Sequence, residues 1–136
     1  GKARIIGFEN VFDTTLSPDM TLGIATTWMS ARDLTAKEKL VRRPNFNARI
    51  IFNYKEDKHA VTVESEFTGK RPDIDNLGNR VGLGSNLVFN MNYAYNFTEK
   101  FSTYAKVRNI LDKDYEDIYG YGTGGKAATL GLKYIF

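Results

Sequence analysis

The chain has 136 residues, 26% of them charged, a mean hydropathy of −0.39 and no cysteine. One domain is expected, and no apolar run approaches the roughly 18–20 residues of a helical membrane span. Disulfide-stapled modules and thiolate metal sites are excluded. A net charge of +3 is spread thinly, with Arg42-Arg43 the nearest thing to a cluster, so no nucleic-acid partner is expected.

Taken in chain order, seven segments alternate with the period of two that marks a strand. The first is Lys2–Phe12. No apolar leader segment precedes it, so a leader has been removed or the chain starts partway into a longer protein. The second, Met20–Leu34, puts Leu22, Ile24, Thr26 and Trp28 on one face. In the third, Asn45–Lys55, Phe46, Ala48, Ile50, Phe52 and Tyr54 oppose Asn45, Asn47, Arg49, Ile51 and Asn53. In the fourth, Ala60–Thr68, Val61, Val63, Ser65 and Phe67 oppose Thr62, Glu64, Glu66 and Thr68. The fifth, Val81–Asn96, sets Leu83, Leu87, Phe89, Met91, Tyr93 and Tyr95 against glycines and asparagines. Phe101–Ile110 is the sixth. The last, Lys126–Phe136, carries Ala128, Leu130, Leu132, Tyr134 and Phe136 on one side and ends on an uncovered aromatic.

A strand with an exposed aromatic tip suits lipid better than water. The connections support the same class. Asp13–Asp19, Glu56–His59 and Phe97–Lys100 are short, whereas Thr35–Pro44, Gly69–Arg80 and Leu111–Gly125 are long and polar. Outer-membrane barrels alternate short periplasmic turns with longer outside loops, and with Phe136 at the periplasmic end all six connections obey that parity. Phe12, Tyr54, Tyr93, Tyr95, Phe101, Tyr134 and Phe136 then gather near the periplasmic ends as an interfacial girdle. The expected fold is all-β, an antiparallel transmembrane barrel wall. An odd number of strands does not close a bacterial barrel, and an open edge in lipid leaves backbone groups unpaired, so the strands are expected to be part of a larger barrel. Two alternatives share the alternation: a self-contained barrel of about eight strands with an adhesion or structural role, and a soluble ligand-binding barrel of lipocalin type.

The block Asn109-Ile-Leu-Asp112-Lys-Asp114-Tyr115-Glu-Asp-Ile-Tyr119-Gly-Tyr-Gly, followed by Gly125-Lys126 and a strand ending Tyr134-Ile-Phe136, resembles the C-terminal end of TonB-dependent outer-membrane receptors. It is most similar to their vitamin B12 and siderophore branch. Gly7-Phe8-Glu9, Arg42-Arg43-Pro44 and Arg71-Pro72-Asp73 fit the same pattern. The resemblance departs at Gly124 and Lys126, where the family usually has a proline and an arginine, and this implies a more mobile last loop. It implies that residues 1–136 are a C-terminal segment of a plugged barrel of about 22 strands, with no plug domain among them. It further implies location in the outer membrane of a Gram-negative bacterium and uptake of a scarce nutrient such as cobalamin, an iron siderophore or haem. The implied partners are outer-membrane lipid, the remaining strands and plug, TonB acting through that plug, the barrel-assembly machinery and the nutrient itself. Asn109, Asp112 and Tyr115 would organise the last loop. Candidate ligand residues in the long loops are Arg42, Arg43, Arg71, Asp73, Arg80, Tyr119, Tyr121 and Lys126. Leu130, Leu132, Tyr134 and Phe136 resemble the signal read by the assembly machinery.

Other motifs carry less. Gly120–Ala127 nearly spells a phosphate-binding loop, but Ala127 replaces the magnesium-binding hydroxyl and a strand follows where a helix should. Asp112, Asp114, Glu116 and Asp117 lack the glycine and the distal glutamate of a calcium loop. His59 stands alone, without a second ligand or a nucleophile. Glu64 and Glu66 share one face and are expected to meet Arg49, Lys106 or Arg108 in a water-filled lumen. No catalytic constellation and no cofactor site emerges, so transport is expected and catalysis is not.

Overall fold

The computed structural model describes all 136 residues, Gly1–Phe136, and is built from strands. These are β1 (Ala3–Ser17), β2 (Met20–Asp33), β3 (Glu38–Lys39), β4 (Phe46–Glu56), β5 (His59–Thr68), β6 (Arg71–Ile74), β7 (Arg80–Leu83), β8 (Asn86–Asn96), β9 (Phe101–Arg108), β10 (Glu116–Ile118), β11 (Tyr121–Gly122) and β12 (Ala127–Tyr134). Seven form one antiparallel wall in the order β1-β2-β4-β5-β8-β9-β12, and β3 lengthens it beside the end of β2. The hairpins β6–β7 and β10–β11 rise from two of the long loops.

Register gives the wall its two faces. On one, Leu22, Phe52, Val63, Met91, Val107 and Ala128 stand side by side across six strands. On the other, Thr21, Asn53, Thr62, Asn92, Lys106 and Thr129 form an equally continuous polar row. Asn53 ties its part of that row together, donating from Nδ2 to Thr21 Oγ1 at 3.2 Å and accepting at Oδ1 from Thr62 Oγ1 at 2.8 Å. Arg49 grips Glu64 through two parallel bonds of 3.0 and 2.9 Å and lies 3.8 Å from Glu66, so the expected acid–base cluster forms with Arg49. Lys106 instead lies over the ring of Tyr104, which in turn covers Gly131; a Cβ on Gly131 would overlap that ring.

Aromatics border the apolar face at both ends. At the short-turn end, His59, Tyr95, Phe97 and Phe101 follow one another at centroid distances of 5.0, 4.8 and 5.1 Å, the first two pairs edge to face and the last stacked. At the long-loop end, Phe8, Trp28, Phe46 and Phe67 follow at 6.2, 4.8 and 5.8 Å. Phe46 and Tyr54 bracket the band on β4, eight positions apart. That is about 26 Å along the strand, or about 20 Å along the normal after tilting, close to the height of a barrel's apolar belt.

Three expectations are corrected. β1 does not stop at Phe12: pairing with β2 continues through Thr14 and Thr15 and, past a register shift at Leu16, to Ser17, so the turn shrinks to Pro18-Asp19. Phe12 therefore pairs with Ile24 in mid-wall and does not belong to the girdle. The segment Val81–Asn96 is two strands, because Gly84-Ser85 breaks it and Arg80–Leu83 folds back on β6. Alternation runs unchanged through that break and cannot reveal it.

The neighbours Ile50 and Ile51 test the two-faced wall, since Ile50 lies midway between the aromatic rows and Ile51 opposes Glu64 on the polar face. Ile50→Arg is expected to cost about 2–4 kcal/mol of stability in lipid, as for a cation at the bilayer midplane. Ile51→Arg is expected to be near neutral. Urea titration of the intact protein folded into vesicles would show the difference.

Candidate functional site

The candidate site is the set of long loops, which one hairpin draws together. β6 presents Arg71 and Asp73 on the same side, as alternation requires. Both are buried, Asp73 completely. Asp73 Oδ1 accepts from Arg42 Nε at 2.8 Å and from its neighbour's amide, Ile74 N, at 2.8 Å, while Oδ2 accepts from Tyr119 N at 2.8 Å. Arg42 N also donates to Pro72 O at 2.7 Å, with Arg42 held in the left-handed region at φ 57°. Arg71 Nη2 reaches across to Glu116 O at 2.8 Å and Asp117 Oδ1 at 3.0 Å. Arg80 bonds Lys39 O at 2.6 Å and pairs with Glu38 at 2.9 Å. The first and third long loops are thus clamped to the second through charged side chains.

Burial alone would raise the Asp73 carboxyl above its ordinary range. The amides of Tyr119 and Ile74 and the Arg42 guanidinium outweigh that and hold it below. Asp75 is also held low, by the Asn79 side chain and amide and then by the amides of Leu77 and Gly78, and this fixes the tip of the hairpin. In the last loop, Asn109 is buried and both accepts from and donates to the backbone of Lys113. Asp112 accepts from Lys126 N at 2.6 Å, and Tyr115 O accepts from Thr123 N and Oγ1. These contacts give Asn109, Asp112 and Tyr115 loop-organising roles.

Of the candidate ligand residues, Arg42, Arg71, Asp73 and Arg80 are taken up in the clamp. Tyr119 joins it by its amide and leaves its ring partly exposed. Arg43, Tyr121 and Lys126 are exposed. Two cavities accompany the loops. An open groove of about 690 Å³ runs between β3 and β6–β7, lined by Glu38, Lys39, Lys70, Arg80, Gly82 and Gly84 among others. A smaller space of about 350 Å³ is lined by Glu66, Asn90, Arg108, Tyr115, Thr123 and Gly124, and so opens on the polar face of the wall. Glu38 and Lys39 fall in the first long loop, as its expected ligand stretch Ala36–Arg43 includes them, but their pairing with β2 went unseen, since two residues are too few for alternation to register a strand.

No protein-family model matches the chain. Its shape matches solved structures closely. Against the ferripyoverdine receptor of the Pseudomonas aeruginosa outer membrane the TM-score is 0.82 at 18% identity, over 97% of this chain and 19% of that one. The ferric-catecholate import receptor Fiu of Escherichia coli gives 0.83 at 17% identity, over 98% and 21%. The copper transporter OprC gives 0.82 at 20%, over 98% and 24%. The chain has the barrel-wall fold of TonB-dependent outer-membrane receptors. It spans about a fifth to a quarter of the length of the structures it matches. That fold, an open run of seven strands in these residues, differs from the closed barrel of a lipocalin. All 136 residues supply only seven wall strands, with β1 and β12 at the edges, so the eighth strand that a small closed barrel requires is not among them.

Asp73→Asn is expected to free the Tyr119 amide, because hydrogen bonds to a charged group are worth about 1.5–3 kcal/mol. Hydrogen exchange there should accelerate by roughly 10- to 100-fold. Acid should mimic the variant. A carboxyl whose folded value is lowered contributes fully above its unfolded value near 3.9 and loses that contribution as pH falls through the folded value. Loop protection should therefore hold at neutral pH and fail in strong acid.

Proposed function

We propose that this chain is the C-terminal part of the wall of a TonB-dependent receptor in the outer membrane of a Gram-negative bacterium, and that the whole receptor imports a metal chelate. The observation that supports the reading is the match of 97–98% of the chain, the seven-stranded wall included, to metal-uptake barrels. Iron siderophore is the nutrient we favour over cobalamin or haem, since receptors for ferripyoverdine and ferric catecholates are among the structures it resembles. The ring of Tyr119, with Tyr121, Arg43 and Lys126, is exposed on the loops and free to meet a ligand. Arg42, Arg71, Asp73 and Arg80 set the loops in place. The remaining strands and a plug complete the lumen, and TonB acts on the plug. Transport, not catalysis, is the role of such a wall.

A strain lacking the full-length gene should lose growth on the cognate ferric siderophore under iron restriction and recover it with the intact gene. Recovery of cobalamin-dependent growth alone would overturn the choice of nutrient. Combined Tyr119→Ala and Tyr121→Ala should weaken ligand binding by about tenfold, taking about 1.4 kcal/mol for the lost contacts, while leaving the amount of receptor unchanged.

The end of β12 supports a second role. Leu130, Leu132, Tyr134 and Phe136 share the lipid face, are highly exposed, and Tyr134 packs on Phe136 at 5.2 Å. We assign them to recognition by the barrel-assembly machinery. Phe136→Lys should lower the receptor reaching the outer membrane severalfold, with little effect on unassisted folding into vesicles. Equal losses in both assays would make Phe136 a lipid contact only.

A further inference from the structure

The lipid face carries a row of charged side chains that the loop clamp does not engage. Beyond the aromatic pair Phe8 and Trp28, alternation leads through Ile6 and Ser30 to Arg4 and Arg32. Arg4 is the register partner of Arg32, and Arg32 that of Lys39 in β3, so three cations stand abreast on three neighbouring strands. All three are exposed, and none belongs to any ion pair of the structure. The neighbouring carboxylates are engaged elsewhere. Glu38 pairs with Arg80, and Asp33, on the opposite face, accepts the amides of Thr35 and Ala36.

Like charges directly opposite one another across strands weaken the pairing. A row of three is therefore stabilised by an anion that bridges it. Lys39 also borders the open groove of about 690 Å³, which continues to the exposed Lys70. Gly82 and Gly84 of that groove have open space where a Cβ would stand.

Position selects the anion. Arg4 lies four residues beyond Phe8, about 13 Å along the strand and about 10 Å above the aromatic row after tilting. Long arginine and lysine stems fold back toward the interface, which places their charges at headgroup level. A free phosphate at so exposed a site is screened by salt and weakly held. A phosphate anchored in the membrane is delivered there at high local concentration, and guanidinium groups match its oxygens in pairs. We propose that Arg4, Arg32 and Lys39 anchor the phosphates of a phosphorylated glycolipid in the outer leaflet, with the adjoining groove receiving part of its headgroup. This rests on the outer-membrane placement argued above.

The test uses the full-length receptor in a neutral detergent and native mass spectrometry with three probes: lipid A bearing two phosphates, the same lipid with its phosphates removed, and inorganic phosphate. Wild type should retain the phosphorylated lipid about tenfold more than the triple variant Arg4→Gln, Arg32→Gln, Lys39→Gln, a factor expected of one lost strong contact. The dephosphorylated lipid should not distinguish the two proteins, and Arg4→Lys with Arg32→Lys should keep most of the binding. Three results would overturn the proposal: equal retention by the triple variant, the same loss with dephosphorylated lipid, or displacement of the lipid by millimolar inorganic phosphate. Each preparation is first checked for the heat-sensitive gel migration of a folded barrel. A wild type that fails this check removes the outer-membrane reading itself, whereas a folded wild type that does not discriminate removes the lipid site alone.

Discussion

Inside hydrocarbon no water is available to a stray amide, so each backbone group of a membrane wall must be satisfied by the adjacent strand. The rest of this structure depends on that constraint. It forces long strands into antiparallel register, shifted in the wall only at Leu16 near the end of β1, and that register forces side chains into rows that cross the sheet. The rows then sort by solvent. Leu22, Phe52, Val63 and Met91 share one, while Thr21, Asn53, Thr62 and Asn92 share the row one step away. A single-residue slip would exchange lipid for lumen along an entire strand, so the alternation that makes the faces also fixes the register.

The wall was legible in the sequence because it obeys this period of two over most of its length. The aromatic Tyr134-Ile135-Phe136 end and the alternation of loop lengths separated a membrane wall from an ordinary sheet. The failures occurred where a period carries no information. Phe12 looks like an end because the polar run Asp13-Thr14-Thr15 that follows it shows no apolar alternation, although it stays paired with β2. Gly84-Ser85 keeps phase with both of its neighbours, so the hairpin beyond it hides inside an apparent single strand. The girdle at the long-loop end also went unseen, because Phe8, Trp28, Phe46 and Phe67 become neighbours only once four strands are paired.

The site was half legible. Composition marked the loops as polar and charged, and the resemblance pointed to Arg42, Arg71 and Asp73. Neither could show that Arg71 and Asp73 turn inward. Their burial depends on partners some 30 to 46 residues away in sequence, Arg42 on one side and Tyr119 and Asp117 on the other. Charged residues in an outside loop are ordinarily solvated, and here two of them substitute for a hydrophobic core that such short hairpins cannot assemble.

That substitution makes the three loops a single inherited unit. A loop anchored only to its own strands can be exchanged for a longer or differently coloured one without consulting its neighbours. Here the middle hairpin holds the first loop through Arg42 and the last through the amide of Tyr119, both on one carboxylate. Changing the specificity of such a surface by swapping one loop would leave a buried charge without its complement in the other two. Diversification should therefore proceed by single exposed positions such as Arg43, Tyr121 and Lys126, or by replacement of all three loops together.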